Sequence, residues 1–280
     1  MNEKDINMAL KALSDSVPKN SATYAGDDGL LYCKNCNTPR EMWLVWAGNS
    51  TKVSCLCKCM SEKVDREDER YRRMERMAMI EQYREAGFPD SQMRAYCFEN
   101  DDGANPRLRE AMLRYVDNFS DFRNSGKGLF LYGGVGTGKS FYAACIVNAL
   151  IDKGYPCLMT SFSRLTNKLS GKWDDRQDYI DSLTRMALVA IDDLGVERDT
   201  EYMNEQVTNI IDSFYRARVP LIITSNFTPR EMSTADVEIR KSRVYDRLLE
   251  RCHPIMVNGE SRRKQMGRSD FAEMNKILGL

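Results

Sequence analysis

No stretch of the chain approaches the ~18 consecutive apolar residues of a membrane span, so the sequence predicts no membrane-embedded helix and no membrane partner. The opening MNEKDINMALKALSDSV carries two acids in its first five residues and no apolar centre. It does not read as a secretory leader, and a cytoplasmic location is expected. Net charge is also missing: 41 Lys and Arg balance 41 Asp and Glu. That balance excludes a uniformly basic nucleic-acid binder and leaves room only for a local patch. The nine cysteines are an odd number, and without a leader they argue against a disulfide framework. Internal repeats and low-complexity tracts are absent. Residues 60–86 hold neither Gly nor Pro.

What is present fits a soluble protein of one large domain or a domain with an appendage, with 280 residues, 42% hydrophobic content and 29% charge. A mean hydropathy of -0.53 adds long solvated helices to that expectation. Residues 1–59 are polar at first, with room for a short amphipathic helix around Ile6–Leu13, and then hold five cysteines between Cys33 and Cys59. Residues 60–87 predict a charged linker helix: seven Lys/Arg and eight Asp/Glu alternate along residues 60–86, until Gly87 and Pro89 end the pattern. From residue 88 onward, strand and helix signals alternate. Apolar runs at Gly128–Tyr132, Tyr155–Thr160, Ala187–Ile191 and Leu221–Thr224 predict strands. Helices are predicted for Lys139–Lys153, Ser163–Leu169 and Glu201–Ala217. The alternation predicts an α/β fold with a parallel sheet flanked by helices.

Three of those runs end in chemistry. Gly133-Gly134-Val135-Gly136-Thr137-Gly138-Lys139-Ser140 matches G-x-x-x-x-G-K-[ST], after a predicted strand and before a predicted helix. Its glycines let backbone N–H groups turn inward around a phosphate, and the helix N-terminus adds a positive dipole end. Lys139 would neutralise the β and γ oxygens of ATP, and Ser140 would ligate Mg²⁺. Leu188-Val-Ala-Ile-Asp192-Asp193 supplies carboxylates at a neighbouring strand end. Asp192 would hold the Mg²⁺ shell and Asp193 would polarise the attacking water. Asn226 closes the third run and could reach the γ-phosphate. Further on, Arg243, Arg247 and Arg251 recur at intervals of four and would line one helix face, either solvated or reaching into the ATP of an adjacent subunit.

Cys33-x-x-Cys36 and Cys55-x-Cys57-x-Cys59 stand about twenty residues apart, a spacing that suits tetrahedral Zn²⁺ in a closed structural site. Five thiols compete for four places. Cys33 and Cys36 are expected ligands together with Cys55 and either Cys57 or Cys59, a choice the sequence leaves open. Trp43 and Trp46 would form either the mini-core of this module or an exposed surface. Arg164, Lys168 and Lys172 fall at i, i+4 and i+8 beside Trp173, which suits either a solvated face or single-stranded DNA held by backbone charge and stacking.

Taken together, these motifs resemble AAA+ ATPases, and more closely DnaC/DnaI-type helicase loaders and their relative, the transposition helper IstB. The likeness rests on Phe88-Pro...Arg94...Cys97-Phe98-Glu-Asn-Asp, YGGVGTGKS, IDDLG, ITSN and SRVYDRLLER, across roughly residues 85–265. It implies an AAA+ domain over 88–280 with a short C-terminal lid, behind an N-terminal zinc module and linker helix. It identifies Gly133–Ser140 as Walker A, Leu188–Asp193 as Walker B and Asn226 as sensor 1. Arg247 takes the place of the arginine finger, Arg243 of its companion and Arg263 of a sensor 2-like arginine. Asp193 departs from the glutamate usual in AAA+ enzymes. The implied activity is ATP-dependent loading of a hexameric replicative helicase onto single-stranded DNA, with self-association through the ATP site. The alternatives are an IstB-like transposition helper or a zinc adaptor using ATP only as a structural switch.

Overall fold

The computed structural model describes residues 23–46, 48–168, 173–195, 201–232, 239–262 and 274–278. The chain divides into two compact units, residues 1–77 and 78–280. The helix foreseen at Ile6–Leu13 lies outside the described residues.

The first unit is built from two antiparallel hairpins. Strands β1 (Thr23–Ala25) and β2 (Leu31–Cys33) pair Thr23 with Cys33, and β3 (Glu41–Trp46) and β4 (Asn49–Ser54) pair Trp43 with Lys52. The hairpins are joined through the Arg40 N–H on the Leu31 carbonyl and the Cys55 N–H on the Arg40 carbonyl. Helix α1 (Lys58–Gly87) starts immediately after Cys57, whose carbonyl accepts the first N–H groups. Its first turns are almost wholly exposed, as the alternating charges require.

Within the second unit, the end of α1 changes character. Ile80 and Tyr83 pack on the core there, and Arg84 pairs with Asp152. Helices α2 (Pro106–Asp117) and α3 (Phe119–Ser125) precede strand β5 (Gly128–Tyr132), and α4 (Lys139–Asp152) follows it. Then come β6 (Cys157–Ser161), α5 (Phe162–Lys168), α6 (Trp173–Thr184), β7 (Leu188–Leu194) and α7 (Glu201–Ala217). Strand β8 (Leu221–Ser225), the short α8 (Pro229–Met232), α9 (Ile239–Arg251) and β9 (Cys252–Met256) complete the unit. The five strands form one parallel sheet in the order β6-β7-β8-β5-β9.

Successive residues of a strand face opposite sides, and the core divides accordingly. Leu129, Leu131, Leu188, Ala190 and Ile222 join α2, α3 and α4 on one face. Phe130, Val189, Ile191, Leu221 and Ile223 join α5, α7 and α9 on the other. Strands buried on both faces read as continuous apolar runs, which is why the sequence exposed them. Because every pairing is parallel, all strand C-terminal ends lie along one edge of the sheet.

Strand β9 was not foreseen. It follows α9 without a connecting loop, contains Pro254, and leaves His253, Pro254 and Met256 exposed at the sheet edge, so no apolar run marks it. Helix α6, starting at Trp173, also escaped the reading. No described helix is long and apolar enough to cross a membrane.

Gly128 sits where a side chain has no room: a Cβ there would lie 1.8 Å from the Leu221 carbonyl oxygen. Gly128→Ala is therefore expected to destabilise the second unit by more than about 3 kcal/mol, the upper end for ordinary overpacking. Thermal unfolding of the full chain checks this, and an unchanged midpoint would contradict the strand spacing.

Candidate functional site

The loop after β5 needs backbone that side chains resist. Gly136 adopts φ +81 and Gly138, the residue capping α4, adopts φ +100. A Cβ on Gly136 would also meet the Ser261 hydroxyl at 2.2 Å. Thr137 ties the loop by donating its hydroxyl to the Gly134 carbonyl at 3.0 Å. Val135 stands at the tip, exposed. The resulting arch is continuous with a helix N-terminus, an arrangement that gathers N–H groups around an anion.

Lys139 is buried, and its ammonium is held from three sides. Nζ donates to the carbonyls of Gly133 at 3.0 Å and Gly134 at 2.8 Å, and to Asn226 Oδ1 at 2.9 Å. The structure thus brings together the lysine and the amide that stand 87 residues apart. Asn226 reaches it because β8 lies between β5 and β7, with Tyr132 opposite Ser225.

Asp192, at the end of β7, is buried beside Ser140. Burial pushes its carboxyl above the ordinary aspartate value, while hydrogen bonds from Thr224 and Ser140 act in the opposite direction. The Thr224 hydroxyl donates to Asp192 Oδ1 at 2.5 Å. Asp193 is exposed and adopts φ +58, and its N–H donates to the same Thr224 oxygen at 2.9 Å.

Lys139, Ser140, Asp193 and Asn226 border a cleft of about 660 Å³. Its floor is Gly136, Gly138, Lys139 and Ser140, its mouth holds Asp193 and Asn226, and Tyr96 and Phe141 line one wall with ring centroids 5.5 Å apart. A volume within the roughly 300–1,000 Å³ of small-molecule sites, with an aromatic wall and a cationic floor, suits a nucleotide.

Several lining residues were missed by the sequence reading, Tyr96, Phe141 and Arg262 among them. Arg262 donates its N–H to the Gly136 carbonyl at 3.0 Å, and its guanidinium reaches Asp102 at 2.8 Å and Asp101 at 3.3 Å. It also lies over the rings of Phe141 at 5.4 Å and Tyr142 at 5.7 Å. The Tyr142 hydroxyl donates to both oxygens of Asp101 at 3.1 Å. Burial and the Asp101 charge push that phenol up to about 12, which keeps it a donor. Arg263, the expected sensor 2-like residue, lies outside the described residues. Nothing in an Arg-Arg doublet tells which member turns inward.

Arg247 does not line its own chain's cleft. It pairs with Asp212 on α7 and lies over the Tyr215 ring at 5.6 Å, with Arg251 over the same ring at 4.6 Å. The four-residue interval therefore places Arg247 and Arg251 on one face. Arg243 belongs to the same helix, and its side chain lies outside the described residues.

In the first unit, Cys33, Cys36, Cys57 and Cys59 bring their sulfurs within 4.8 Å of one another. Cys55 does not join them: its thiol donates instead to the Pro39 carbonyl at 3.6 Å. This corrects the expected choice of Cys55. Cys33 to Cys59 spans 3.8 Å and Cys57 to Cys59 spans 3.4 Å. Four sulfurs bound tetrahedrally at ~2.3 Å to one zinc lie roughly 3.8 Å apart, so the quartet fits that ion. Arg40, buried, directs its guanidinium toward Cys57 at 3.9 Å, the charge expected near an anionic thiolate group.

Trp43 and Trp46 are 47% and 61% exposed, so they form a surface and not a mini-core. Arg164 and Lys168 are exposed on α5, with Lys168 over the Tyr179 ring at 5.6 Å. Lys172 lies outside the described residues, as does the side chain of Trp173, which opens α6 and not α5.

Comparison with known proteins accords with this geometry. The IstB-like ATP binding protein family matches residues 47–270. The replicative helicase loader DnaI of Bacillus subtilis is 25% identical over 94% of this chain and 84% of its own length. An insertion-sequence ATP-binding protein of Mycobacterium tuberculosis is 30% identical over 73% of this chain and 81% of its own. Among solved structures, DnaI superposes with a TM-score of 0.53 at 20% identity, covering 65% of this chain and 99% of its own. The DnaC helicase loader gives 0.50 at 21% identity, covering 60% of this chain and all of its own. The chain belongs to the IstB-like ATP binding protein family, and its second unit is an AAA+ ATPase with the fold of the DnaI and DnaC loaders.

Proposed function

We propose that this ATPase loads a replicative DNA helicase, binding the helicase and single-stranded DNA and changing its grip on them as ATP is hydrolysed. The observation that carries this reading is coverage. The match to the helicase loader runs along 94% of the chain, whereas that to the insertion-sequence protein spans 73%. A match of that length takes in the cysteine unit as well as the ATPase unit. The second reading, a transposition helper, is favoured by the higher identity of the insertion-sequence relative.

The chemistry assigned to the cleft follows from its residues. The P-loop amides and Lys139 would bind the phosphates, exchanging the carbonyls and the Asn226 amide that now hold the ammonium for phosphate oxygens. Tyr96 and Phe141 would stack on the base. Ser140 and Asp192 fit Mg²⁺, being a hydroxyl and a buried carboxylate side by side. When bound, that ion neutralises phosphate charge. Asp193, exposed at the mouth, would accept the proton of the attacking water, which Asn226 would help to orient. Arg262 would be drawn from Asp102 toward the phosphates. Arg247, facing away from its own cleft, would serve that of a neighbouring subunit, which requires leaving Asp212. Zn²⁺ on Cys33, Cys36, Cys57 and Cys59 would fix the hairpins of the first unit, whose exposed Trp43 and Trp46 suit a protein partner. Arg164 and Lys168 would meet the phosphates of single-stranded DNA.

Lys139→Ala is expected to lose binding of a fluorescent ATP analogue, whereas Arg247→Ala should keep it and lose about 10³-fold in turnover of the assembled protein. Binding by the first at wild-type affinity, or undiminished turnover by the second, would contradict the assigned roles. One zinc per chain is expected by elemental analysis. It should survive Cys55→Ser and be lost in Cys36→Ser, and the reverse pattern would overturn the ligand set. The loader reading itself is tested by light scattering of the chain mixed with a hexameric replicative helicase. A discrete complex that changes with ATP supports it. No complex under either condition, with binding to a transposase instead, selects the transposition helper.

A further inference from the structure

The pairing of β7 with β8 is regular from Val189 opposite Leu221 to Ile191 opposite Ile223, and then slips: the next pair is Leu194 with Ser225. Two residues, Asp192 and Asp193, therefore stand against the single residue Thr224. This is a β-bulge, which turns a strand by inserting one extra residue. In a regular strand, consecutive side chains point to opposite faces, so two adjacent carboxylates diverge. Here the chain enters the left-handed region at Asp193, with φ +58. Asp192 stays buried, while Asp193 is exposed and lines the cleft.

Thr224 is the partner that this slip requires. Its side chain is 1% exposed, and its hydroxyl makes both bonds that define the bulge. It accepts the Asp193 N–H at 2.9 Å and donates to Asp192 Oδ1 at 2.5 Å. A hydroxyl is the smallest group able to accept and donate at once. A hydrophobic residue of the same shape would leave a backbone N–H without an acceptor and free the Asp192 oxygen to turn.

We propose that Thr224 is a positioning residue of the hydrolytic site, fixing the bulge that lets Asp192 and Asp193 act on one nucleotide. The inference rests on the reading that these two carboxylates serve ATP hydrolysis. Thr224 is buried and does not line the cleft, so it acts through the two carboxylate residues it holds.

The test compares Thr224→Val and Thr224→Ser in the full chain, by ATP turnover against Mg-ATP concentration, binding of a fluorescent ATP analogue, and melting temperature. Thr224→Val should lower kcat about 10–100-fold, as removing an outer partner of a metal-site ligand does, with KM and analogue binding within about threefold of wild type. Thr224→Ser, which restores the hydroxyl, should recover most of the loss. If Thr224→Val turns over at the wild-type rate, if Thr224→Ser is equally slow, or if the loss falls on KM and binding alone, the proposal is overturned. Should Thr224→Val not fold, Thr224→Ala against Thr224→Ser gives the same comparison, since both lack the γ-methyl and differ only in the hydroxyl. Asp193→Asn separates the two levels. Undiminished turnover there removes the hydrolytic reading itself, whereas an inactive Asp193→Asn beside a fully active Thr224→Val removes only the role of Thr224.

Discussion

The parallel pairing of β8 between β5 and β7 is the constraint from which the site follows. Parallel strands carry their C-terminal ends to one edge, so the P-loop, the two aspartates and Asn226 converge although the sequence separates them. The pairing is held by burial on both faces and by the absence of a side chain at Gly128, beside the Leu221 carbonyl. Continuous hydrogen bonding and apolar cover make this ribbon rigid. Register then sets which strand ends meet, and a slip of one residue along a whole strand would exchange the faces of its side chains.

The cleft is stitched to the last part of the chain in the same way. Helix α9 carries Arg247 and passes into β9, whose residues Cys252–Met256 pair with Gly128–Tyr132 of β5. The Val257 N–H then donates to the Tyr132 carbonyl at 2.7 Å, and the Arg262 N–H to Gly136 at 3.0 Å. Each link is a backbone hydrogen bond beside the P-loop. The P-loop and the helix that carries Arg247 are therefore joined through a contiguous run of backbone hydrogen bonds. The ion pair of Arg247 with Asp212 anchors that helix to α7, on the face of the sheet opposite α4. Both side chains of the pair are half-buried, and the guanidinium also lies over the Tyr215 ring.

Legibility in the sequence followed the locality of each feature. Strands β5, β7 and β8 were readable because burial on both faces leaves only apolar residues, and the P-loop because its glycines, Lys139 and Ser140 are consecutive. Strand β9 was not, since an edge strand tolerates Pro254 and exposed His253. The metal quartet was legible as a cluster but not as a set. Cys55, Cys57 and Cys59 alternate identically in sequence, and only the turn from β4 into α1 sends the Cys55 thiol to the Pro39 carbonyl. Arg262 was hidden for a similar reason, because the segment after Val257 runs against the P-loop with no periodicity to mark its inward side.

The bulge also accounts for a residue that looks anomalous in the sequence. AAA+ enzymes usually place glutamate where this chain has Asp193, and a shorter acid would ordinarily hold its carboxylate farther from the water. At φ +58 the backbone selects for different properties than reach. Among residues with a Cβ, aspartate and asparagine enter the left-handed region most readily, because a short polar side chain can hydrogen-bond locally there. A longer acid gains length but loses that conformational fit, and the turn at the bulge redirects the side chain toward the mouth of the cleft. Aspartate is thus the acid that matches the left-handed backbone at this position.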